Sequence, residues 1–188
     1  MPEFKSDEEK YFAWYLDELS KVEIVKRWMY ESHTFTLSKS KTYPILRQLK
    51  TKARIDQLSL MDEHVYTPDF LIEWNENALN KFVRIIQDET CPVKCPFFAV
   101  RGKQDNKLYT FIEIKPNFDQ HGMERLFRIN QKWMYDKYDL FIQLIKPLKL
   151  FERTFTPERF LKCDKVDRLR KIDFKIKSLN EYLYELDI

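Results

Sequence analysis

Glycine is nearly missing from this chain, with two in 188 residues. A loop that cradles phosphate on backbone N–H groups needs several, so Rossmann-type and Walker-type nucleotide sites are excluded. Gly102 and Gly122 stand alone and are expected in turns. Three cysteines cannot build a disulfide framework. Cys91 and Cys95 form a C-x3-C pair, Cys163 lies far off, and His64 or His121 supply no second ligand pair, so a structural zinc is not expected. No apolar run reaches membrane-spanning length, and the opening MPEFKSDEEK has no signal-peptide core. The expectation is a cytoplasmic protein (the host cytoplasm if phage-encoded), without a membrane.

The chain does contain much charge of both signs, 34% of residues with a net +3. That balance is ordinary for one globular domain and hints only mildly at an anionic partner. Position says more. Arg125, Arg128 and Lys132 recur at helical spacing and share one face, which suits phosphate binding. Arg47, Lys50, Lys52 and Arg54 cluster earlier in the chain. Seven Lys and Arg load residues 162–177, but Asp164, Asp167 and Asp173 are interleaved there.

Periodicity outlines an α/β chain with a mixed sheet. SDEEKYFAWYLDEL reads as a helix with Ser6 as N-cap and Glu9 as its capping-box partner. VEIVKRWMYESHTFTLS holds one or two strands, and HVYTPDFLIEW is a strand with Pro68 at a locally free position. Residues 41–65 read as extended or loop with room for a short helix, and NALNKFVRIIQDE as a helix. CPFFAVRGKQDNKLYTFIEIKP is a hairpin closed by a polar turn. ERLFRINQKWMYDKY is a helix and DLFIQLIKP a strand. Thr156 and Pro157 fit the cap and first position of a helix, and the charged tail reads as helical.

One strand poses a chemical problem. In LYTFIEIKP, Glu113 and Lys115 lie two residues apart and so on one face of a mainly apolar run. Asp69 opens another apolar strand. If the two strands pair, Asp69 and Glu113 sit on one face a few ångströms apart. Two close carboxylates are tolerable around a divalent cation, and magnesium takes one or two carboxylates and leaves its other positions to water and phosphate.

Thr67-Pro68-Asp69 followed by Glu113-Ile114-Lys115 resembles the motif of the PD-(D/E)XK nuclease superfamily. Ser6, Glu9 and Phe12 are similar to its first motif, S-x-x-E-x-x-F. The nearest likeness is to small phage-encoded nucleases and the TnsA-like and Holliday-junction-resolvase-like branches. The resemblance implies a restriction-endonuclease-like αβββαβ core over about residues 5–146, an insertion at about 75–100 and a C-terminal helical extension at about 147–188. It implies that Asp69, Glu113 and the Ile114 carbonyl ligate Mg2+ or Mn2+, that Lys115 is the catalytic lysine, and that Glu9 (or else Glu8) approaches the metal. Gln131 and Tyr135 are similar to the Q-x-x-x-Y element of the RecB-like branch, where Gln131 would orient the site. DNA is the implied partner, with a homodimer or a second protein supplying specificity. The alternatives are a RecB-like exonuclease and a non-catalytic DNA-binding or assembly subunit. A Glu113 blocked by a salt bridge from Lys115 would favour the last. Asp119 and His121 are read as loop polarity.

Overall fold

The computed structural model describes residues 3–86, 94–118, 122–162 and 169–186. Its elements are α1 (Asp7–Lys21), β1 (Val25–Tyr30), β2 (Phe35–Ser38), β3 (Lys41–Gln48), β4 (Ala53–Met61), β5 (His64–Tyr66), β6 (Phe70–Trp74), a 3-10 turn (Glu76–Ala78), β7 (Val83–Ile85), β8 (Phe97–Arg101), β9 (Leu108–Ile114), α2 (Met123–Tyr138), β10 (Ile142–Ile145), α3 (Pro147–Arg153), α4 (Glu158–Leu161) and α5 (Leu179–Glu185). The central sheet is mixed, in the order β1-β6-β9-β8-β7, with β10 also on β9. β1 and β6 run antiparallel, as do β6 and β9, whereas β10 lies parallel to β9 across the α2 connection. The result is a mixed α/β fold in which β9 is flanked on both sides.

Helix α1 begins where the sequence places it. The Ser6 hydroxyl accepts the Glu9 N–H (3.2 Å), and three acids follow at the positive end of the helix dipole. Phe12, Tyr15, Leu16 and Leu19 are fully buried. Each such side chain contributes about 1.5–3 kcal/mol relative to exposure. They pack with Phe70, Ile72, Phe97, Ile112 and Ile114 on one face of the sheet. The opposite face carries Leu71 and Phe111, covered by Phe127 and Met134 of α2. Three layers follow directly from the period-2 alternation of β6 and β9 and the 3.6-residue stripes of the helices.

Several expectations are corrected. Residues 41–61 form a long two-stranded ribbon, β3 on β4, continued by β2 on β5. Residues 76–86 hold the 3-10 turn and β7 in place of a helix, and β7 and β8 extend the sheet. Residues 35–66 stand outside the central sheet, and the described residues of the expected insertion supply β7 and most of β8 at its edge. Among its described residues the C-terminal region is not one continuous charged helix. It contains α3, α4 and α5, and residues 169–178 have no helix. Phe151, Phe155, Phe160 and Tyr182 join the α1-side core, with Phe155 stacked on Tyr15 at 4.3 Å. α4 starts at Glu158 with Pro157 in the cap position, one residue later than expected. Cys91, Asp119, His121 and Cys163 lie outside the described residues. With so little glycine, left-handed backbone falls mostly to other residues, among them Glu31 (φ 45°), Asn106 and Asp139. Gly122, at φ 65° just before α2, serves one such position. Among the described residues no helix is long and apolar enough to cross a membrane.

Candidate active site

The register of β6 on β9 pairs Phe70 with Ile112, so Asp69 lies across from Glu113 one step beyond the last paired residues. The Ile114 N–H donates to Asp69 Oδ2 (2.6 Å), and the Glu31 N–H donates to the Asp69 carbonyl (2.8 Å). Asp69 is thus fixed by both its backbone and its side chain, while among the described residues its Oδ1 accepts no hydrogen bond. On the same face, Lys115 Nζ donates to Glu113 Oε1 (2.6 Å) and Tyr66 OH donates to Glu113 Oε2 (2.7 Å). Glu113 and Lys115 therefore face each other, in side-chain positions only 10% and 15% exposed.

Glu9 arrives from α1, on the other side of the sheet. It is buried, and it does not close the expected capping box. Its Oε2 accepts from the Lys5 N–H (2.9 Å) and from Tyr30 OH (2.6 Å). Glu8 and Glu9 line a cleft of about 540 Å³ together with Ile114 and Lys115. The first turn of α2 closes its other wall through Met123 and Glu124.

The electrostatics mark Asp69 as the odd member. Burial first, then the charge of Glu113, push its carboxyl up to about 7, with Glu9 adding to the rise. The Ile114 N–H and Lys115 pull the other way. Burial and Glu113 push the Tyr66 phenol far above its usual range, so it stays a hydrogen-bond donor to Glu113 across the physiological range.

The structure does not bring Gln131 to this cluster. Its amide donates to the Ile142 carbonyl of β10 (2.6 Å) and accepts from Arg128 (3.1 Å), which ties α2 to the sheet. Arg125, Arg128 and Lys132 are exposed on α2, on the side away from its buried stripe. Tyr66 and Tyr30, which hold Glu113 and Glu9, were not among the sequence candidates. No spacing rule joins Tyr66 to a residue 47 positions later.

Among the described residues no three His, Cys, Asp or Glu side chains already stand as a metal-ligand group. The donor chemistry nevertheless suits a hard cation. Asp69 Oδ1, Glu113 and the Ile114 carbonyl are oxygens, and the Asp69 carboxyl is raised by burial first and by the neighbouring Glu113 second. Comparison of the chain with protein-family models, with curated proteins and with solved structures finds no match.

Proposed function

We propose that this chain is a metal-dependent nuclease of the PD-(D/E)XK superfamily, an endonuclease that hydrolyses phosphodiester bonds in DNA. The observation that carries this reading is the clamp of Asp69 on the Ile114 N–H, which sets Asp69 beside Glu113 and Lys115 at the end of two paired strands. The order α1, β1, β6, β9, α2, β10, with two antiparallel pairings and then a parallel one, is similar to the αβββαβ core of that superfamily.

Asp69, Glu113 and the Ile114 carbonyl would hold Mg2+ or Mn2+, with Glu9 behind them. A divalent cation, when bound there, lowers the pKa of a coordinated water and draws charge from phosphate oxygens. Tyr66 keeps one oxygen of Glu113 in place. Lys115, released from Glu113, orients the attacking water or steadies charge growing on the phosphate. Arg125, Arg128 and Lys132 hold the DNA backbone along α2.

The Glu113–Lys115 ion pair favours the second reading, a nuclease-like fold that binds DNA without cutting it. Against it stands the half-buried Asp69, an acid raised by burial and by Glu113 that a purely structural strand end does not need. The test is cleavage of supercoiled circular, linear and branched DNA in Mg2+, Mn2+, Ca2+ and chelator. Nicking of circular DNA in Mg2+ or Mn2+, with binding but no turnover in Ca2+, is expected. Cutting of linear ends alone points to the exonuclease, and binding without cleavage in any metal points to the second reading.

Neutralising Arg125, Arg128 and Lys132 together to alanine tests the helix face. Weaker binding is expected, with a salt slope of log K reduced by about one per lost phosphate contact. Unchanged affinity and slope would remove α2 from the interface.

A further inference from the structure

The β3–β4 ribbon belongs to neither core, and none of its residues is buried. Its ion pairs among the described residues are internal. At eight to nine residues per strand it reaches about 26 Å from its root. A lone two-stranded ribbon gains little stability from itself, so one held this far from any core points to a partner.

Its charge says which partner. Between Lys39 and Arg54 the sequence carries six cations and no acid. A merely solvated face would mix signs, as residues 162–177 do. Lys50 and Lys52 sit at the closing turn, where the Leu49 N–H donates to the Lys52 carbonyl. Just below, Arg47 and Arg54 are cross-strand partners. Like charges placed directly opposite repel, but Asp56 forms an ion pair with each, its oxygens 3.1 Å from Arg47 Nε and 2.9 Å from Arg54 Nε. The two guanidinium groups are thereby kept on one face of the ribbon near its tip, where an anion can meet both. On the other face Leu46 and Ile55 form an exposed cross-strand pair, 67% and 69% accessible.

The root places this tip relative to the chemistry. β2 rests on α2, where Lys137 Nζ and Tyr138 OH donate to the Thr36 carbonyl, and His64 packs on Trp133. β5 ends at Tyr66, the residue that holds Glu113.

We propose that the β3–β4 ribbon is a duplex-gripping arm whose tip, with Arg47, Lys50, Lys52 and Arg54, enters a groove of double-stranded DNA and binds the phosphates on either side. A two-stranded ribbon fits the roughly 12 Å width of the major groove. Leu46 and Ile55 then meet base edges such as thymine methyl groups. This inference rests on the DNA reading above and assigns its grip to a segment outside the cleft.

The test is anisotropy of a labelled 30-base-pair duplex in Ca2+ over a salt series, which needs no cleavage. Two variants are compared with the intact chain: Arg47→Gln with Lys50→Gln, Lys52→Gln and Arg54→Gln, and a shortened chain in which a Gly-Ser turn replaces residues 41–61. Melting temperatures within a few degrees of the parent are expected, because the ribbon joins no core. Affinity is expected to fall at least about tenfold and the salt slope by about three to four. Unchanged affinity and slope in both variants would overturn the arm while leaving the nuclease reading intact. A parent chain that binds duplex through the arm but cuts nothing sinks the nuclease reading alone, and one that binds no duplex sinks both. If sedimentation shows the shortened chain changing from dimer to monomer with DNA affinity unchanged, the ribbon is a self-association device and the proposal fails.

Discussion

Asp69→Asn is expected to abolish metal-dependent cleavage and at the same time to stabilise the fold. The amide oxygen can still accept the Ile114 N–H, so the local geometry survives. The charge that would hold the cation does not, and a loss of about a thousandfold or more in rate follows from removing a ligand that positions the reacting water. The stability effect has a defined sign. The folded state holds the Asp69 proton up to about pH 7, whereas the unfolded chain releases it near 4. The folded state therefore binds more protons in that window, and the stability present below pH 4 is lost as pH rises through 7. Asparagine has no such loss. Its advantage should grow from pH 4.5 to pH 8, reach on the order of 1–3 kcal/mol after allowance for coupling to Glu113, and raise the melting temperature by several degrees. Melts at the two pH values check this. An advantage equal at both would show that Asp69 is not held as a strained acid.

Lys115→Ala is expected to separate binding from chemistry. The amine touches Glu113 and lines the cleft, whereas phosphate affinity is assigned, on the proposed reading, mainly to the basic helix face and the arm. Duplex affinity should stay within a few-fold. Single-turnover cleavage should fall about a hundredfold or more, the scale of losing one preorganised electrostatic donor. Lys115→Arg should also be impaired, since a planar fork does not replace a compact ammonium. A variant that loses affinity but keeps its single-turnover rate would make Lys115 a phosphate clamp. Removing the amine also frees Glu113 Oε1, so tighter Mg2+ binding is the expected accompaniment.

What could be read from the sequence was what is buried on one face. α1 shows because Ser6 and a regular apolar stripe coincide, and β6 and β9 show because their apolar runs are dense. The ribbon was hidden because alternation is written only where one face is covered. With none of 41–61 buried, Pro44, the Lys residues and the Gln residues left no period to detect. Residues 76–86 misled because Leu79, Phe82 and Val83 fit a helical stripe, yet pairing with β8 makes Val83–Ile85 a strand. Tertiary pairing overrode local pattern there. In the tail, charge density suggested a solvated helix, but Phe155, Phe160 and Tyr182 pull it onto α1. At the site, Asp69, Glu113 and Lys115 could be named from type and order. Their partners could not. Tyr66 and Tyr30 reach the carboxylates only through strand neighbours distant in sequence, and Gln131, placed at the site by motif, spends its amide on Ile142.

Tyr30 and Phe70 are register partners, so the whole excursion from 31 to 69 leaves the sheet and returns to it at adjacent points. The entropy of closing such a loop grows only logarithmically with its length. The ribbon can therefore lengthen, shorten or be exchanged with little effect on the sheet that carries Asp69 and Glu113. Reach and site are separately heritable: on the proposed reading, selection can retune what the ribbon grasps by editing the middle of one excursion, while the residues at its two ends keep the carboxylates where they are.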